Sequence, residues 1–289
     1  MTRIIVDVNA ASSPAGLACD GFVFADPDFS LHPVAPASRG DIATRVRECK
    51  DKGLLAIVNV DKIVDENELD DLDESLAFYT GLGVDYFLYG DYAVLAWYLE
   101  NKPPVRLIYD PKTLVTNYRD AEIHREWEGL VAVSNEVSRG DMERIVAPGN
   151  AVLEVYGHRR IFYSRRPLLT AYGDYSGANF RTGVPYQIRE ETRSGGNIIY
   201  ESKHCSLIFT GYRIAIFREL LAFSQLPRFI RINGAFIPEE ELAAVTALYR
   251  GLLNEPDRAG ELYLELARIY PDLKAGYRSD EILPGGEAL

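Results

Sequence analysis

The sequence predicts an α/β fold, a (β/α)8 TIM-like barrel with a β-hairpin insertion before the last strand. Two observations carry this prediction. Eight short apolar, β-branched runs alternate with helical stretches, and alternation of that kind implies parallel strands joined by right-handed crossovers. The chain has 289 residues, 47% of them hydrophobic, and a β/α barrel occupies about 250 residues as one domain. A single domain over 1–289 is therefore expected. An open doubly wound sheet is the other arrangement the alternation allows.

The candidate strands are residues 3–8, 21–25, 54–59, 86–89, 105–109, 129–134, 152–156 and 229–233. Helices are expected over 41–52, 66–80, 92–100, 139–146, 212–223 and 238–253. The last places Leu242, Val245, Tyr249 and Leu252 on one stripe, with Pro238 at its first turn. The rhythm breaks over 172–206, where glycines surround two β-like pieces, Gln187-Ile188-Arg189 and Ile198-Ile199-Tyr200, about a Ser194-Gly195-Gly196 turn. An excursion there follows the seventh strand and can overhang the barrel mouth. The tail, 279–289, contains Pro284, Gly285 and Gly286 and is expected to fray.

Charge and cysteine content narrow the function classes. A net charge of −12 argues against broad, phosphate-driven nucleic-acid binding, which needs an excess of Lys and Arg on one face. A local basic patch is available in His158-Arg159-Arg160 with Arg165-Arg166. Three scattered cysteines, Cys19, Cys49 and Cys205, fit a reducing compartment. They fall short of the roughly four ligands of a structural zinc or iron–sulfur site. The acid at Asp7 interrupts the first apolar run, unlike a signal peptide, and no apolar run reaches the ~18 residues of a membrane span. The expectation is a soluble, cytoplasmic protein without membrane contact.

Several stretches, taken in order, resemble the collagenase-like peptidases of family U32. They are Leu54-Leu55-Ala56-Ile57-Val58-Asn59 before an acidic helix, Gly83-Val84-Asp85-Tyr86 leading to Gly90-Asp91, and Ile108-Tyr109-Asp110-Pro111 running on to Asn117. Val133-Ser134-Asn135-Glu136-Val137-Ser138 follows, and then Glu154-Val155-Tyr156-Gly157-His158 leads into Phe162-Tyr163-Ser164-Arg165-Arg166. The likeness spans roughly residues 20–234. It implies a β/α barrel and a peptidase-type hydrolase acting on a peptide or small-molecule substrate. Relatives active in oxygen-independent hydroxylation of RNA bases or quinone precursors supply an alternative, and a ligand-binding barrel without catalysis another. Where many relatives carry a cysteine after the Tyr-Ser pair, this chain has Pro167, and where relatives often place an acid it has Asn233. The resemblance thus implies a cysteine-poor form without an iron–sulfur cluster, and no cofactor is expected.

Working residues of a barrel sit at the C-terminal ends of its strands, which singles out Glu136 and Glu154 as the catalytic candidates. Alternation puts Glu154 on the side of Val152 and Tyr156, pointing into the barrel if Leu153 and Val155 face the helices. A buried carboxyl is paired, hydrogen-bonded or protonated, and a raised pKa suits a general acid. The structural alternative is an ion pair with Arg106 or Arg231. Asn59, Tyr109 and Asn117, with Tyr163 and Arg166, are the candidate substrate contacts. An Asn in a loop more often satisfies nearby backbone, whereas an Arg fork suits an anionic or planar ligand. His158 with Ser164 lacks the strand-turn-helix elbow of a serine hydrolase. His32, His124 and His204 have no metal-ligand spacing, and neither phosphate-loop nor dinucleotide motif occurs.

Overall fold

A computed structural model describes residues 1–11, 16–33, 37–127, 129–189 and 195–276. The expected tail over 279–289, and Ser194 of the expected turn, lie outside the described residues. Eight parallel strands close a barrel: β1 (Arg3–Asp7), β2 (Gly21–Ala25), β3 (Leu55–Val60), β4 (Tyr86–Tyr89), β5 (Arg106–Tyr109), β6 (Leu130–Ala132), β7 (Ala151–Ser164) and β11 (Phe229–Ile232). β11 seals it by pairing with both β1 and β7.

Helices α1 (Arg39–Asp51), α2 (Leu69–Leu82), α3 (Tyr92–Asn101), α4 (Tyr118–Glu126), α5 (Arg139–Val146) and α7 (Glu239–Asn254) follow strands of the barrel. Their starts are chemically marked. Ser38 and Asp41 form a capping box on α1, and Asp91, Asn117 and Ser138 cap α3, α4 and α5 with side-chain oxygens. Two apolar layers result. Ile5, Val23, Ile57, Leu88, Ile108, Val152 and Phe229 fill the barrel interior. A larger cluster, with Leu153, Val155 and Tyr156 among its members, packs the outer face of the strands against the helices.

Between β7 and β11 the chain forms α6 (Leu168–Ser176), β8 (Pro185–Arg189), β9 (Gly196–Glu201) and β10 (Ser206–Ala215). β8, β9, β10 and the upper half of β7 make an antiparallel meander. Residues 212–223, expected as a helix, are instead the end of β10 and a 3-10 turn at Arg218–Ala222. The partner strands explain this: Arg213, Ile214 and Ala215 pair with His158, Gly157 and Tyr156, so the ladder fixes them as strand. α4, α6, α8 (Ala259–Ile269) and the short β12 (Leu273–Ala275) were not expected.

The transition of β7 from stave to overhang has a local cause. A register shift between Arg231 and Ile232 lets Glu154 oppose Arg231 and Tyr156 oppose Ile232, bulging Val155. Tyr156 consequently leaves Glu154's side and joins the outer layer, its hydroxyl donating to Glu241 Oε1 at 2.7 Å. Gly157 follows at φ 130°, where an added Cβ would lie 2.5 Å from the carbonyl oxygen of Asn233. Gly157→Ala is expected to destabilise the fold by about 1–3 kcal/mol from the backbone conformation alone, more with the overlap. A urea-unfolding midpoint unchanged from wild type would refute that account.

Candidate functional site

The inward positions at the C-terminal ends of the strands are polar, in contrast to the apolar layer below them. β1 ends in Asp7, β5 is followed by Asp110, β7 supplies Glu154, and β11 supplies Arg231 and then Asn233. Arg231 is almost fully buried and organises the set. Its Nε and Nη2 donate to the two oxygens of Asp7 at 2.8 and 2.7 Å, and Nη1 donates to Asp110 Oδ2 at 2.7 Å. Bidentate pairing of this kind fixes both strand ends in relation to β11.

Lys112 extends the network. Its ammonium contacts Asp110 and lies 3.9 Å from Asp61, which Arg160 approaches at the same distance from the overhang. Lys112 holds a left-handed backbone at φ 67°, a conformation that costs free energy for a side chain of this size. The turn is secured by its own amide, which donates to Asp110 Oδ1 at 3.3 Å.

Two further buried aspartates set the loop after β2. Asp26 accepts the amides of Asp28 and Phe29 at 2.7 Å each, with Ser75 and Tyr79 hydroxyls on its other oxygen. Asp61 accepts the Leu31 amide at 2.9 Å. That loop delivers His32, whose Nε2 lies 3.0 Å from Asn233 Oδ1 and 3.8 Å from Asp7. Asn233 in turn donates through Nδ2 to Glu154 Oε2 at 3.4 Å.

Beside this network lies a cavity of about 300 Å³ under the overhang, with Asp61, Lys112, Glu136, Glu154, Arg159 and Arg160 in its wall. Its charges fall into an ordered pattern. Arg231, Lys112 and Arg160 face Asp7, Asp61 and Asp110, three cations for three carboxylates. Burial works against the ionisation of Asp110, but Lys112 and Arg231 outweigh it and hold the carboxyl well below the usual range. Asp61 is lowered in the same way, Lys112 and Arg160 overriding burial. Glu154 is the additional acid beside this neutralised set. Burial pushes its carboxyl above the ordinary value, Arg231 and Lys112 pull against that, and Asp110 and Asp7 push with it. Arg159, lowered by burial, is drawn on by both Glu154 and Glu136. Burial also lowers His32, leaving its imidazole neutral near pH 7.

The structure brings Glu136 and Glu154 to one cavity, Glu154 half-buried and Glu136 exposed at the rim. Arg231 is committed to Asp7 and Asp110, and Arg106 is exposed at the opposite end of the barrel. Asn59 is fully buried; its Oδ1 accepts the Asp61 amide at 3.1 Å, and its Nδ2 has no partner among the described residues. Tyr109 faces the helix layer, stacked between Tyr92 and His124, because alternation turns it away from the interior that Ile108 and Asp110 face. Asn117 caps α4, accepting from the Arg119 amide at 3.1 Å and donating to Asp120. Tyr163 sits under the Arg160 guanidinium by a neighbouring depression, and Arg166 is exposed and lines no part of the cavity.

Ser164 and His158 stand six residues apart on β7, roughly 20 Å at strand rise, so no Ser-His pair forms. Cys19 and Cys49 belong to the outer layer and Cys205 packs under the meander, an arrangement unable to ligate a four-thiolate cluster. Burial raises Cys19 to about 12 and Cys49 to about 11. Among the described residues no three His, Cys, Asp or Glu side chains are grouped to hold a metal ion, and no helix is long and apolar enough to cross a membrane.

Sequence reasoning missed Asp7, His32 and the bonding role of Asn233. Alternation alone was enough to find Asp7: Ile5 faces the core, so Asp7 faces the mouth.

The profile of peptidase family U32 matches residues 19–277. A protein named tRNA hydroxylation protein P2, from Bacillus subtilis (strain 168), is 26% identical over 246 residues, covering 81% of this chain and 78% of its own. A solved structure described as that of the U32 peptidase Mk0906 aligns with a TM-score of 0.49 at 16% identity, over 81% of this chain and 92% of that one.

Proposed function

This chain belongs to peptidase family U32, and from that premise we propose that its barrel mouth is an enzyme site where Glu154 exchanges a proton with an RNA base while an oxygen-atom donor, itself reduced by two electrons, supplies the hydroxyl oxygen. The carrying observation is Glu154 itself, an acid raised by burial beside a carboxylate set already neutralised by Arg231, Lys112 and Arg160. Such a group keeps its proton to higher pH than an ordinary glutamate, the direction that favours general acid catalysis. The similarity to tRNA hydroxylation protein P2 supports the choice of chemistry. Arg159, in the cavity wall and outside that neutralised set, is a local cation for a phosphate-bearing ligand despite the net charge of −12.

Without a metal ion, peptide hydrolysis needs an activated nucleophile or a carboxyl pair sharing a proton. His158, bonded through Nδ1 to the Thr210 carbonyl at 2.8 Å, lies six residues along β7 from Ser164, and Glu136 and Glu154 share no hydrogen bond among the described residues. The test compares nucleosides from the tRNA of cells with and without this chain by mass spectrometry, beside a peptide-library digest with the purified protein. We expect a hydroxylated nucleoside to disappear with the chain, and the library to stay intact. Unchanged nucleosides together with discrete peptide cleavages would overturn the reading in favour of a peptidase.

A further inference from the structure

Asn233 stands where Gly157 allows β7 and β11 to approach, its backbone oxygen occupying the place of the missing Cβ. The surrounding bonds settle which end of its amide is which. The Ala235 backbone N–H can only donate, and it lies 3.0 Å from one amide atom, which is therefore Oδ1. The other atom is Nδ2, and it faces two acceptors, Glu154 Oε2 and the His158 carbonyl, each at 3.4 Å. The neighbouring imidazole follows from the same logic. Since Oδ1 accepts, His32 Nε2 at 3.0 Å must carry the hydrogen, in the neutral tautomer.

This amide leaves the two oxygens of Glu154 inequivalent. Oε2 receives the Asn233 donor, whereas Oε1 takes no hydrogen bond among the described residues. In a protonated carboxyl the carbonyl oxygen is the better acceptor, so an N–H donor on one oxygen favours the proton on the other. We infer that Asn233, locked by His32, is a positioning residue that assigns the exchangeable proton of Glu154 to Oε1, the oxygen free to meet a substrate in the cavity. The inference rests on the acid–base reading of Glu154. It gives the side chain at position 233 a task that a carboxylate, lacking a donor, cannot perform.

The charged groups around Glu154 must stay fixed for a clean test. They are Arg231 from β11, Asp7 from β1, Asp110 and Lys112 after β5, and Arg159 of β7, which Glu136 shares; neutral His32 completes the set. The measurement is the titration of the Glu154 side-chain carbon by NMR on glutamate-labelled protein, assigned with Glu154→Gln. Removing the donor by Asn233→Leu is expected to raise the midpoint by about one pH unit. Asn233→Asp keeps the shape, loses the donor and adds charge, so it should raise the midpoint at least as far. His32→Leu should shift it in the same direction, and His32→Gln, which keeps an N–H for Oδ1, should return it toward wild type. Because the protonated form is the one that meets the substrate, the alkaline limb of the activity profile should move with the NMR midpoint. A wild-type midpoint in both folded Asn233 variants would overturn the inference. Full activity in Glu154→Gln would instead remove the acid–base reading, with the NMR shifts unaffected, so the two failures are separable.

Discussion

Replacing Arg231 with methionine is expected to lower the unfolding free energy by about 3–5 kcal/mol at pH 7, the range for breaking a buried pair from one side. The change leaves Asp7 and Asp110 buried without the guanidinium that bonds both. The sign of the pH dependence follows from Asp110. Its folded pKa is depressed below the ordinary 3.8, so its stabilisation is present above that value and is lost as pH falls through the folded pKa. The gap between wild type and variant should therefore narrow below about pH 4. Adding Asp7→Asn and Asp110→Asn should recover much of the loss, because the unpaired charges disappear with them. Urea midpoints at pH 7 and pH 3 decide the matter, and a deficit under about 1 kcal/mol at pH 7 would show that the network does not hold the strand ends.

Glu154→Gln is expected to slow turnover by about 10²–10⁴-fold, the usual range for loss of a positioned general acid or base. The fold should tolerate it. Glu154's folded pKa lies above the ordinary 4.5, so folding is favoured while the group is protonated. That advantage fades as pH rises from the unfolded value through the folded one. Gln removes the buried charge, so the variant should match wild-type stability at pH 5 and equal or exceed it at pH 8. Loss of activity together with a lower urea midpoint at pH 8 would mean that Glu154 is structural.

The barrel was legible because its signals are local and repetitive. Each of the eight staves begins within a few residues of the apolar run that marks it, and all but β7, which runs on to Ser164 in the overhang, also end there. Helices announced by apolar stripes were legible too. α4 was not, since Tyr118–Glu126 buries only Ala121 and His124, too few for a periodic pattern. α8 was not, since Leu262, Leu264 and Leu266 alternate as a strand would, with Leu264 exposed. The segment after Tyr212 has helical composition, and its fate was decided by a distant partner, the upper half of β7. The site divides in the same way. Glu154 could be placed from alternation on one strand, but Tyr156 could not, because the bulge depends on the register of β11. The Arg231 clamp joins residues from β1, the end of β5 and β11, a convergence that only barrel closure creates.

That closure also sets an order of assembly. β11 begins at Phe229 and pairs with β1 at Arg3, a contact between distant parts of the chain, and contacts of that kind form late. Synthesis proceeds from the N-terminus, so β1 to β7 and the meander all emerge before the sealing strand does. The overhang can thus be laid down while the barrel below it is still an open sheet with two bare edges. Arg231 and Asn233 arrive with the seal, and only then do Asp7 and Glu154 meet their partners. A chain still lacking its sealing strand therefore has a roof over an unfinished mouth, and the Arg231 and Asn233 contacts are completed in the same event that removes the exposed strand edges.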